Sequence, residues 1–176
     1  MNRKTYFIAD ISANHDGDFE RAKKLCLLAK ESGADAAKFQ HFKAETIVSD
    51  IGFKNLGGRK SHQAKWEKSV FEVYKDASVP LDWTPFLKKY CDEIGIDFFT
   101  TPYDLNYVDQ LDQYVEMYKI GSGDITWHEL LVKVASKGKK VLLATGASEI
   151  DEVQRAMDVL LKYKIPVVLM QCNTNY

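Results

Sequence analysis

Two lysines in this sequence of 176 residues lie where packing alone does not explain them. Lys38 falls inside the run AAKFQH and Lys119 inside VEMYKI, each with the apolar content of a strand. A buried ammonium needs a counter-charge or must surrender its proton more easily, so such a lysine points to an anionic ligand. Polar side chains gather at the ends of the same kind of run. Asp10 and Ser12 lead to Asn14 and His15; Gln40 follows Lys38 by two residues and so shares its face; Thr100 and Thr101 close DFFTT. Lys119 runs into Gly121-Ser122-Gly123-Asp124, KVLLA runs into Thr145-Gly146, and the last segment ends QCNTNY at Tyr176. Ammonium groups beside hydroxyls and turn amides suit a phosphate or a carboxylate, and Asp10 and Asp124 are carboxylates able to move protons. The glycine-rich nucleotide signatures GxGxxG and GxxxxGK[ST] are absent from the sequence.

Other residues invite two readings each. His15 either contacts a ligand or belongs to a polar turn, NHDGD; His128 falls in the first turn of a helix, exposed or capping. Arg59-Lys60-Ser61-His62 is either a lid over substrate or a solvated loop. Trp66, Phe71 and Tyr74 fit a helix face packed on the core. Cys26, Cys91 and Cys172 are odd in number and lack CxxC spacing, which argues for three buried thiols rather than a disulfide framework or zinc site.

These groups need elements to position them, and the chain alternates short strands with amphipathic helices. Strands are expected at 6–11, 36–41, 97–101, 115–120, 140–144 and 167–171. Helices are expected at about 19–32, 66–74 and 81–94. Two more are expected to open on the capping boxes Thr126-Trp127-His128-Glu129 and Ser148-Glu149-Ile150-Asp151. No hairpin signal joins neighbouring strands, so the strands should be parallel with helical crossovers. A doubly wound sheet and a β/α barrel both satisfy this pattern, and both bind ligands at the carboxyl ends of their strands.

Composition narrows the function classes. Apolar residues make up 45% of the chain, enough for a packed core, and 24 Lys and Arg nearly cancel 25 Asp and Glu. A net charge of −1 argues against a nucleic-acid partner, which a global positive field would serve. The N-terminal apolar run breaks at Asp10 and no stretch approaches a membrane span, so a cytoplasmic protein without a membrane partner is expected.

The segments IADISANHDGD, GADAAKFQ, FFTTPYD, YKIGSGDIT, VLLATGAS and LMQCNTNY, in this order, resemble the sialic acid (N-acetylneuraminate) synthase family. Members condense phosphoenolpyruvate with an N-acetylated amino sugar and release phosphate. The resemblance implies a (β/α)8 TIM barrel, of which residues 1–176 would be the N-terminal part of the catalytic domain, about six of eight strands. It implies that Lys38, Gln40, Thr101, Lys119, Ser122 and Tyr176 bind substrate and that Asp10 and Asp124 are the catalytic carboxylates. It further implies a divalent metal, Mn or Mg, acting as a Lewis acid in the full-length enzyme with ligands outside this chain, and a homodimer at full length. Three positions depart from the family pattern: Asp10 stands where many members have glutamate, Ala144 where a serine is common, and QCNTNY replaces an HCT-type ending. They suggest a subgroup handling a related nonulosonic acid precursor. The expected reaction is therefore nonulosonic acid synthesis from phosphoenolpyruvate and an N-acetylmannosamine-like sugar. The alternatives are a 3-deoxy sugar acid synthase using a phosphorylated aldose, and a fragment that binds phosphoenolpyruvate without chemistry.

Overall fold

The structure, a computed structural model, describes residues 5–55 and 66–174. Arg59, Lys60, Ser61, His62 and Tyr176 lie outside the described residues. The chain divides into two compact units, Met1–Asp97 and Phe98–Tyr176.

In the first unit, β1 (Ile8–Ser12) and β2 (Ala36–His41) pair in parallel. The crossover between them is α1 (Phe19–Glu31), which starts where the Asp18 side chain accepts a hydrogen bond from the Arg21 amide. Ala22, Cys26 and Ala29, at spacings of four and three, form the face that α1 buries. Gly33, at φ 87°, turns the chain out of the helix in a conformation that side chains disfavour. Every β2 residue except Gln40 is buried, as a strand covered on both faces requires. Two short helices, α2 (Ala44–Ile47) and α3 (Asp50–Asn55), occupy a stretch that its polar, glycine-bearing sequence marks only as a loop.

Three expectations for this unit are corrected. The helix expected at 66–74 is α4 (Val70–Ala77), because Ser69 and Glu72 close a capping box and fix the start there. Trp66 consequently precedes the helix and is exposed, while α4 buries none of its residues fully; Tyr74 instead meets the Phe42 ring at 5.5 Å. The segment expected as one helix from 81 to 94 is a single 3-10 turn, Leu81–Trp83, followed by α5 (Thr84–Ile94), with Pro85 in the first turn and Gly95 as a left-handed cap.

The second unit holds most of β3 (Asp97–Pro102), then β4 (Met117–Ile120), β5 (Lys140–Ala144) and β6 (Val167–Met170), each paired in parallel with the next. The crossovers carry α6 (Leu105–Leu111), α7 (His128–Ala135) and α8 (Ile150–Leu161). Neither expected capping box forms. Trp127 stands at the start of α7 without a side-chain cap, and α8 is capped by Glu149 with Glu152. Ser148 does not cap: its hydroxyl donates to the Gly146 carbonyl, next to Ala147 at φ 53°. The thiols divide two to one, since Cys26 and Cys91 are buried but Cys172 is only half-buried.

Candidate active site

In the first unit, parallel register sets Asp10 opposite Lys38. The Lys38 ammonium reaches the Asp10 carboxylate at 2.8 Å, with Lys38 almost fully buried and Asp10 open to solvent on its far side. The buried cation therefore has a counter-charge, and that carboxylate is accessible to incoming ligand. Register slips between Asp10 and Ser12, where Ser12 takes φ 51°, a left-handed conformation that costs a serine energy. The bulge aims the Ser12 hydroxyl at Gln40 Oε1, to which it donates at 2.5 Å. Lys38 and Gln40, two apart on β2, thus each engage a β1 residue, as alternation implies.

His15 follows in the turn after β1 and is fully buried. Its Nδ1 accepts from the Gly17 amide at 3.1 Å, and its ring stands edge-on to Trp83 at 5.5 Å. Burial holds its pKa below the usual histidine value. The Gly17 bond fits the turn reading, while His15 Nε2 is buried with no hydrogen-bond partner among the described residues. His41 is the last residue of β2 and the polar residue that closes it. It is fully buried, its Nε2 lies 2.9 Å from Thr84 Oγ1 at the head of α5, and burial presses its pKa to about 3. A polar residue closing an apolar strand was the available signal.

In the second unit, Thr101 is buried at the end of β3. Lys119 is half-buried in β4, and the chain leaves that strand through a 3-10 turn, Ser122–Asp124. Burial raises the Asp124 pKa to about 6, against the opposing pull of Lys119. Asp124 is therefore a carboxyl that exchanges its proton near neutrality, as a general acid or base must. A cleft of about 240 Å³ opens between this turn and the loop after β5; Ser122, Gly123, Gly146, Ala147, Ser148 and Glu152 are among its walls. Ala147, in the loop after β5, holds a left-handed conformation like Ser12 at the end of β1.

Asp10, Lys38 and Gln40 thus come together in the first unit, and Lys119, Ser122 and Asp124 in the second. Among the described residues, no group of three or more His, Cys, Asp and Glu is placed to hold a metal ion. The described residues do not by themselves form a site for the metal that the resemblance implies. Among the described residues, no helix is long and apolar enough to cross a membrane.

Parallel strands alternating with helices define an α/β domain, with Lys38 and Lys119 carried on its strands and Asp124 on the turn after β4. The chain belongs to the NeuB family, whose description matches residues 25–176. It is 34% identical over 178 residues to N,N'-diacetyllegionaminic acid synthase of Campylobacter jejuni, covering 99% of this chain and 53% of that protein. It is 30% identical over 172 residues to human N-acetylneuraminate-9-phosphate synthase, covering 97% and 47%. The crystal structure of N-acetylneuraminic acid synthetase from Leptospira borgpetersenii superposes with a TM-score of 0.83 at 29% identity, over 99% of this chain and 56% of that one. The chain spans about half the length of the curated relatives it matches. The fold expectation is met: six parallel strands alternate with helices, matching part of the TIM barrel of these synthases.

Proposed function

We propose that residues 1–176 are the N-terminal part of the catalytic barrel of a nonulosonic acid synthase, the part that receives phosphoenolpyruvate. The carrying observation is Lys38, a nearly fully buried ammonium within β2 held 2.8 Å from the solvent-open Asp10 carboxylate opposite it on β1. A structural ion pair gains little from burying the cation this way, whereas an anion site gains a dry, oriented charge. Lys38 offers its ammonium to an anionic group of phosphoenolpyruvate, and Lys119, Gln40, Thr101, Ser122 and Tyr176 are the further substrate contacts that the family resemblance implies. In the reaction, C3 of phosphoenolpyruvate attacks the open-chain aldehyde of an N-acetylated amino sugar, forming the carbon–carbon bond. Water adds at C2 and phosphate leaves. Asp124 moves a proton in this sequence because its carboxyl titrates near pH 6. Asp10 fixes Lys38 and offers its exposed side to the sugar.

The test is calorimetric titration with phosphoenolpyruvate, alongside phosphate release with N-acetylmannosamine, a 2,4-diacetamido hexose, arabinose 5-phosphate and erythrose 4-phosphate. Saturable binding that Lys38→Met and Lys119→Met each weaken at least about tenfold supports the assignment. Binding unchanged in both variants overturns it. Turnover confined to the phosphorylated aldoses would favour the 3-deoxy sugar acid synthase, and binding without turnover would identify a ligand-binding fragment.

A further inference from the structure

Gly121 leads out of β4 into the turn that carries Asp124, and its Cα is hemmed in from two sides. A Cβ placed on it would stand 3.3 Å from Asp124 Oδ2, 3.4 Å from the Tyr103 hydroxyl and 3.8 Å from Tyr103 Cε1. Both side chains therefore approach one small volume beside Gly121, into which a methyl group fits only if the Asp124 carboxylate gives way by a few tenths of an ångström. Tyr103 comes from the loop after β3, so side chains from two different strand ends approach the same point beside Gly121. Neither the sequence reading nor the reaction above assigns Tyr103 a part.

We propose that Tyr103 is a positioning residue for Asp124: across the bare Cα of Gly121, its phenol ring walls in the carboxyl and keeps water from it. The inference deepens the proposed function, since it gives the proton-moving carboxyl its enclosure. Removal from water is the largest influence on Asp124 and the one that lifts its pKa to about 6; the Lys119 ammonium, from β4, opposes it. An aromatic ring beside a carboxyl excludes water over a larger area than an aliphatic stub, so the ring rather than the hydroxyl carries the effect. Gly121 matters in the same way, because a methyl group there pushes carboxyl and ring apart by a few tenths of an ångström.

The test follows the Asp124 carboxyl carbon by NMR through a pH titration of the protein labelled with 13C-aspartate, assigned by loss of the signal in Asp124→Asn. Wild type is expected to show a midpoint near 6. Tyr103→Ala is expected to lower it by about one unit or more toward the ordinary carboxylate range, and Tyr103→Phe to keep it within about 0.3 unit. Tyr103→Val, which leaves less of a void, stands in for the alanine variant if that chain does not fold. A midpoint unmoved in the folded alanine or valine variant overturns the proposal, as does an equal fall in Tyr103→Phe, which would assign the effect to the hydroxyl. The titration needs no substrate. If phosphoenolpyruvate fails to bind, the proposed function falls while the shielding of Asp124 is still decided.

Discussion

Lys38 shows how a single residue can separate function from stability. Its charge is buried beside a carboxylate that water still reaches, so the ion pair bears a desolvation cost that a hydrophobic side chain of similar length avoids. Lys38→Met is therefore expected to leave unfolding stability within about 1 kcal/mol of wild type, or to raise it, while losing phosphoenolpyruvate binding. Thermal melts and calorimetry on the same sample check both halves, and a large loss of stability would mean that the pair is structural. Asp124 works in the opposite sense. With its pKa raised to about 6, the folded protein holds a proton between about pH 4 and pH 6 that the unfolded chain has given up. That contribution to stability is present below this window and lost as pH rises through about 6, where the charged carboxylate is buried. Asp124→Asn should thus raise the melting temperature relative to wild type at pH 7.5 and have little effect at pH 4.5. An equal effect at both pH values would contradict the shift. Much of the site was legible in the sequence because residue type alone flags a lysine in a strand. The pairing of Asp10 with Lys38 was not legible, since the register between two parallel strands joined by a helix is not set by local sequence, and neither was the approach of Tyr103 and Asp124 to Gly121, which joins loops from two strands.

At the scale of elements, short apolar runs placed all six strands, with β2 and β5 at their full bounds although β2 carries Lys38, Gln40 and His41. Helix starts were less legible. The pattern Ser-x-x-Glu occurs at Ser69 and forms a box there, while Thr126 and Ser148 match the same pattern and cap nothing. The rule sees spacing, but the cap forms only if the backbone enters the helix extended, and Ala147 at φ 53° directs the chain otherwise. Ser69→Ala is accordingly expected to cost about 1 kcal/mol in urea unfolding, whereas Ser148→Ala should cost much less. The join between β2 and α5 carries a pH dependence. His41 stays neutral down to about pH 3 in the fold, while in the unfolded chain it takes up a proton near 6.5. Stability should therefore fall as pH drops from about 6.5 toward 3, by up to about 1.4 kcal/mol per unit for one proton. His15, whose pKa burial also lowers, adds in the same direction. His41→Gln can still meet Thr84 and is expected to flatten this acid limb; an unchanged slope would assign it to other groups.

For the whole molecule, β5 and β6 set a contrast. Val141 through Ala144 are buried, yet Val168 and Leu169 are 47% and 49% exposed in a strand that among the described residues pairs only with β5. Successive strand residues face opposite ways, so β6 shows apolar surface on both faces as well as a row of backbone groups along one edge. An apolar strand exposed in this way is a template for pairing with another chain. The 176-residue polypeptide is thus expected to self-associate, its sedimentation coefficient rising over about a hundredfold range of concentration. Leu169→Lys should suppress the rise, since a charge on an edge strand opposes edge-to-edge pairing. Because Leu169 is already half exposed, the substitution should leave the melting temperature at low concentration nearly unchanged. A polypeptide that sediments as a monomer throughout, or an association that Leu169→Lys leaves intact, would show that β6 is not the surface at which the chain joins its neighbours.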